Sequence, residues 1–182
     1  YRRKELRDQI GIVPQKAVLF AGTVRENMQW GKKDATDEEI WEALKTAQAE
    51  EFIRAKEGGL DANIEQGGRN LSGGQRQRLT IARALVKKPR VLILDDSASA
   101  LDYATDAALR KAIRQMEGAP TVFIVSQRTS SLMSADRILV LDDGEATGYG
   151  THEELLARNQ IYQEIYESQA AGNADFDEPG KE

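Results

Sequence analysis

The 182-residue chain has no cysteine, which excludes disulfides and thiolate metal sites and suits a reducing compartment. It also lacks any apolar run long enough to cross a bilayer. Val91 to Leu94 and Ile138 to Leu141 are far too short for that and read as buried strands. Positive charge is not in excess either: the formal net charge is -5, so no global attraction to nucleic acid or anionic lipid is available and partners must be recognised locally. The chain opens on Tyr1, and Arg2, Arg3, Lys4 and Arg7 lead into a strand, not into an apolar signal segment. That start reads as a truncation. What is present, 40% hydrophobic and 30% charged residues, is the balance of a soluble globular domain or one large piece of one.

Ile10 to Val13 is a short apolar run closed by Pro14, which disfavours a helix at Val13 and predicts a strand leaving a core. Thr23 with Glu26, and Thr36 with Glu39, are Thr-x-x-Glu capping patterns, and they make the region to about Lys56 helical. Glycines at 58, 59, 67, 68, 73 and 74 then mark turns before a helix from about Gln75 to Lys87, stopped by Pro89. Beyond it strand and helix alternate: Val91 to Leu94, Asp102 to Met116, Thr121 to Val125. Ile138 to Leu141 and Glu145 to Tyr149 flank Asp143-Gly144 and predict a hairpin near the end of the sheet, followed by helices opened by Thr151 with Glu154. The pattern is α/β with a largely parallel sheet and a mainly helical insertion. The polar stretch from Ala170 onward is expected to fray.

Leu71-Ser72-Gly73-Gly74-Gln75 immediately precedes an amphipathic helix. A serine hydroxyl, unobstructed backbone N–H groups and the positive helix end then point one way, and such a terminus binds anions. Standing alone, Ser-Gly-Gly is an ordinary flexible N-cap. Val91-Leu92-Ile93-Leu94-Asp95-Asp96 predicts a fully buried strand that delivers two carboxylates at its C-terminal end, the edge where ligands sit in open parallel sheets. Gln15, on the loop leaving the first strand, is placed to reach a metal or a water there.

With Val13-Pro14-Gln15, Leu71 to Arg78, Leu94-Asp95 and Ser99-Ala100-Leu101-Asp102 in that order, the chain resembles the ATP-binding-cassette (ABC) ATPases. These four stretches match the family's Q-loop, signature, Walker B end and D-loop. Leu19 to Asn27 and Gly150 to Leu155 resemble the exporter branch, whose ATPase domains follow transmembrane helices in the same polypeptide. The resemblance implies a P-loop NTPase (RecA-like) core with a helical subdomain, N-terminally truncated. Its parts are residues 1–15 (core strand and Q-loop), 16–70 (mainly helical), 71–169 (signature to the end of the core) and 170–182 (tail). It implies ATP and Mg2+ as ligands, with Asp95 and Gln15 on the metal and Gln15, Leu71, Ser72, Gly73, Gly74 and Gln75 on nucleotide. Ser99, Ala100, Leu101 and Asp102 fall at a dimer interface. The implied partners are a second ABC ATPase domain and transmembrane domains, with no nucleic acid. Glu65 to Gly68 lies where exporters contact the transmembrane region.

Three departures from the family pattern matter. Gly-x-x-x-x-Gly-Lys followed by Ser or Thr does not occur; in the family that loop precedes the equivalent of Tyr1, so the chain alone is expected to bind ATP weakly or not at all. Asp96 stands where a catalytic glutamate is usual, and its shorter side chain withdraws the carboxylate from the attacking water. Gln127, after Phe123-Ile124-Val125-Ser126, stands where the switch histidine is expected; it donates and accepts hydrogen bonds but carries no positive charge. The single histidine, His152, belongs to the Gly-Thr-His-Glu-Glu segment and reads as a helix-start residue. Asp96 and Gln127 together suggest a slow site in an asymmetric pair, with Ser72 completing the competent site of a different partner chain. The alternatives are a soluble clamp ATPase on ribosome or DNA and an ATP-sensing subunit without turnover.

Overall fold

The computed structural model describes residues 2–174, with side chains through residue 170. The chain divides into two compact units at Val125 and Ser126.

In the first unit, the basic opening segment forms a short helix, α1 (Arg3–Asp8), that leads into the first strand. The Arg2 N–H donates to the Glu5 carboxylate at 3.2 Å and closes its first turn. β1 (Ile10–Val13) follows. The chain then makes a two-residue strand β2 (Gly22–Thr23), helices α2 (Val24–Gln29), α3 (Asp37–Thr46) and α4 (Glu50–Arg54), and a second two-residue strand β3 (Asn63–Ile64), antiparallel to β2. The starts of α2 and α3 follow from their capping pairs. Thr23 accepts from the Glu26 N–H at 3.0 Å while Glu26 accepts from the Thr23 N–H at 2.7 Å, and Thr36 with Glu39 repeats the exchange. Helix α5 (Gly73–Leu85), strand β4 (Val91–Asp95), helix α6 (Tyr103–Arg114) and strand β5 (Thr121–Val125) complete the unit.

β1, β4 and β5 form a parallel sheet in the order β1-β4-β5, with Val13 opposite Leu94 and Asp95 opposite Val125. Alternation divides its side chains. Val13, Leu92 and Leu94 join the core with Leu79, Ile81, Ala82 and Leu85 of α5 and Ile40 and Leu44 of α3. Ile12, Phe123 and Val125 point the other way and are 60%, 58% and 56% exposed. The expectation of a fully buried β4 is therefore corrected: Leu92 and Leu94 are buried, but Val91 and Ile93 are only partly covered. A strand is buried throughout only when helices pack on both faces of its sheet.

The second unit holds α7 (Thr129–Leu132), β6 (Ile138–Asp142), β7 (Glu145–Gly150), α8 (His152–Arg158) and α9 (Gln160–Ala174). β6 and β7 form a hairpin, as the Asp143-Gly144 turn predicts, with φ of 46° and 81° at those two residues. It is a two-stranded sheet of its own, not the end of the parallel sheet. Ile138, Val140, Leu155 and Tyr162 make its core. The stretch expected to fray from Ala170 is helical to Ala174, where α9 ends; residues 175–182 lie outside the described residues.

Candidate functional site

Ser72 is the N-cap of α5, with φ -66° and ψ 163°. Its hydroxyl accepts from the Gln75 N–H at 3.2 Å, and Gln75 Oε1 accepts from the Ser72 N–H at 3.0 Å. The first-turn N–H groups of Gly73 and Gly74 have no intrahelical acceptor, as at any helix start. Ser72 and Gly73 are exposed; Leu71 is a core residue, 6% exposed, that anchors the turn. Gly74 lies against the D-loop: a Cβ there would come within 3.2 Å of the Ala100 carbonyl oxygen. A 13-residue helix thus presents an exposed N-terminal end next to Ser99 and Ala100, which are exposed as well. Leu101 is buried and Asp102 caps α6, accepting from the Thr105 N–H and hydroxyl, each at 2.8 Å. Those bonds hold the Asp102 carboxyl below the usual carboxylate range.

The second cluster forms at the C-terminal edge of the sheet. In-register pairing of β1 with β4 brings Gln15, two residues past Val13, to the edge where Asp95 and Asp96 emerge. Gln15 Nε2 donates to Asp96 Oδ2 at 3.3 Å, linking residues 81 apart in sequence. Asp95 ends β4 and is exposed. The donors are hard oxygens, the Asp95 carboxylate and the Gln15 amide carbonyl, and they suit Mg2+ held by one or two side chains while phosphates and waters supply the rest. Among the described residues no group of three or more His, Cys, Asp or Glu forms a metal cage. Gln127 and His152 belong to the second unit. Gln127 is exposed, and its carbonyl accepts from Gln169 Nε2. His152 opens α8, and its Nδ1 lies 2.9 Å from the Tyr162 hydroxyl.

Sequence reasoning missed a cleft of about 280 Å3 lined in part by Ile12, Phe20, Trp30, Gly31, Arg83 and Lys87. The Phe20 and Trp30 rings lie 4.8 Å apart, and Trp30 is 69% exposed. The Arg83 guanidinium stands 5.6 Å from the Phe20 ring centroid and donates through Nη2 to the Val18 carbonyl at 2.9 Å, while its Nη1 is buried without a hydrogen-bond partner. Burial lowers the Arg83 pKa. The only local signal was an aromatic residue at each end of Phe20 to Trp30. Asn27, 1% exposed, fixes the loop between them: Nδ2 donates to the Phe20 and Thr23 carbonyls at 2.9 and 3.0 Å, and Oδ1 accepts from the Phe20 N–H at 2.9 Å. Asn27→Ala is expected to lower unfolding free energy by about 2–3 kcal/mol, because it strands buried backbone groups; urea unfolding of the domain measures it.

A parallel sheet with acids at its C-terminal edge, and an exposed, serine-capped helix N-terminus beside them in the sequence order of the family, belong to the nucleotide-binding part of an ABC transporter, a P-loop NTPase fold. Residues 1–99 match the ABC transporter family, and the chain belongs to it. It is 51% identical over 164 residues to the uncharacterized ABC transporter ATP-binding protein YfiB of Bacillus subtilis (strain 168), covering 90% of this chain and 28% of that protein. Identity to the probable multidrug resistance ABC transporter ATP-binding/permease protein YheI of the same organism is 48%, with the same coverage. The solved structure of a bacterial Atm1-family ABC exporter with ATP bound matches with a TM-score of 0.87 and 38% identity, covering 92% of this chain and 30% of that one. The chain therefore spans less than a third of these relatives. No described helix is long and apolar enough to cross a membrane.

Proposed function

We propose that the chain is the ATP-binding and hydrolysing part of an ABC exporter, at the cytoplasmic face of a cell membrane, and that its two clusters serve two unlike sites. The observation that carries this reading is the exposure of Ser72 and Gly73 at the start of α5. An anion-receiving terminus turned toward solvent is free to meet the triphosphate bound to a second, non-identical ATPase chain. There Ser72 donates its hydroxyl proton, and the first-turn N–H groups add theirs, to the γ-phosphate as negative charge builds during attack by water. Ser99 and Ala100, beside Gly74, extend the same contact surface.

The chain's own pocket uses Asp95 and Gln15 to hold magnesium, which when bound neutralises phosphate charge. Asp96 and Gln127, the two departures from the family pattern, make this chain's own turnover slow. Asp96 is one methylene short of a glutamate, and Gln127 offers no cationic donor. Without a Gly-x-x-x-x-Gly-Lys stretch among its residues, the chain alone binds ATP weakly and turns over none.

Coupling to transport runs through the cleft at Phe20, Trp30 and Arg83. Its aromatic walls, Phe20 and the exposed Trp30, offer apolar contact to the transmembrane part. In the full transporter, Trp30→Ala is expected to leave ATP binding intact while reducing substrate-stimulated ATPase about fivefold or more, a coupling energy of the usual size. Paired measurements of nucleotide affinity and stimulated turnover check this. Unchanged stimulation would remove the cleft from the coupling path.

A further inference from the structure

Asp96 leaves β4 with φ +44°, in the left-handed region that Asp and Asn enter more readily than other residues with a side chain. Its backbone is pinned there. The Asp96 N–H donates to the Val125 carbonyl at 2.8 Å, and its carbonyl accepts from the Ser99 N–H at 3.3 Å and the Ser99 hydroxyl at 2.9 Å. A short side chain on a fixed backbone has little freedom, and its Oδ2 takes the hydrogen bond from Gln15 Nε2 at 3.3 Å.

A glutamine amide has one donating end and one accepting end. With Nε2 engaged by Asp96, a flip of the Gln15 amide would set Oε1 against Oδ2, two acceptors with no proton between them. The amide is therefore held with Oε1 on the side away from Asp96, and Oε1 is the only end that can ligate a hard cation. We propose that Asp96 is a positioning residue for Gln15, fixing its amide so that the carbonyl oxygen is always presented to the metal of the bound nucleotide. This rests on the assignment of the pocket to magnesium and nucleotide. It gives the substituted acid a retention role where a glutamate would serve the attacking water: the pocket keeps its metal–nucleotide complex and turns it over slowly.

The test uses the full-length transporter with Mn2+ in place of Mg2+ and a non-hydrolysable ATP analogue, with bound Mn2+ counted and characterised by electron paramagnetic resonance. Absence of any nucleotide-dependent Mn2+ site in the wild type would overturn the functional assignment itself. Given such sites, Asp96→Ala is expected to weaken one Mn2+ class about tenfold, as loss of a ligand's orienting partner does, and to alter its spectrum. Gln15→Ala should weaken the same class to a similar degree, and the double variant should lose no more than either single one. Asp96→Asn can still accept from Gln15 Nε2, although its own amide can also rotate to donate to Oε1, so it should weaken that class by less than Asp96→Ala does. If Asp96→Asn is as weak as Asp96→Ala, or if the Asp96→Ala and Gln15→Ala losses add, charge alone is at work and the positioning role is wrong.

Discussion

Ser72→Gly in the intact transporter is expected to lower transport-coupled ATPase by about 10²-fold, the usual cost of removing one donor from a preorganised oxyanion contact, while Gln127→Ala lowers it less than about threefold. The choice of glycine separates two roles of Ser72. The serine hydroxyl caps α5 by accepting from the Gln75 N–H, and alanine there would cost about 1 kcal/mol of helix stability, whereas glycine costs only a few tenths. A loss of turnover in Ser72→Gly with an unchanged melting temperature therefore reports the missing hydroxyl donor and not a loosened helix. The contrast with Gln127 follows from asymmetry: Ser72 serves the faster pocket of the partner chain, and Gln127 serves this chain's own turnover, which contributes little. Steady-state ATPase and transport rates of the two variants, side by side, decide the matter. Equal losses would mean two equivalent pockets and would end the asymmetric reading.

Features that depend on neighbours in the chain were legible from the residues. Thr23 with Glu26 and Thr36 with Glu39 each close a capping box within four residues, so the starts of α2 and α3 were legible, whereas α5, expected from about Gln75, begins at Gly73. β5 was read to its exact ends, because β-branched residues between a proline and a serine admit few other conformations. Features that depend on convergence were not legible. Phe20, Trp30 and Arg83 line one cleft only because α2 and α5 lie side by side, and nothing in either segment announces the other. The burial of β4 was overestimated for the same reason: an apolar strand reads alike whether one face of its sheet is covered or both. The Gln15–Asp96 bond depends on the register between β1 and β4, which apolar alternation constrains but does not count. Leu71 was grouped with the nucleotide contacts because the motif is read as a unit, yet its side chain anchors the turn from inside the core.

Restoring both departures tests the slow pocket from the opposite direction. In a Ser72→Gly background, where the partner's pocket is silenced, adding Asp96→Glu and Gln127→His together is expected to raise the residual ATPase by about 10- to 100-fold, the range recovered when a misplaced reacting group returns by roughly 1 Å. Either change alone should give much less, because residues that act as a unit do not contribute additively. The gain is opposed by backbone geometry. Position 96 sits at φ +44°, where a glutamate lacks the local hydrogen bonding that eases aspartate into the left-handed region, at a cost of about 1 kcal/mol. A small fall in melting temperature should accompany the gain in rate. The introduced imidazole supplies an independent signature: turnover in the triple variant should acquire a pH dependence near the ordinary histidine pKa of about 6.5, and the Ser72→Gly chain, with glutamine at 127, should show none there. A triple variant no faster than Ser72→Gly, with a flat profile between pH 6 and 7, would mean that Asp96 and Gln127 do not set the rate of this pocket.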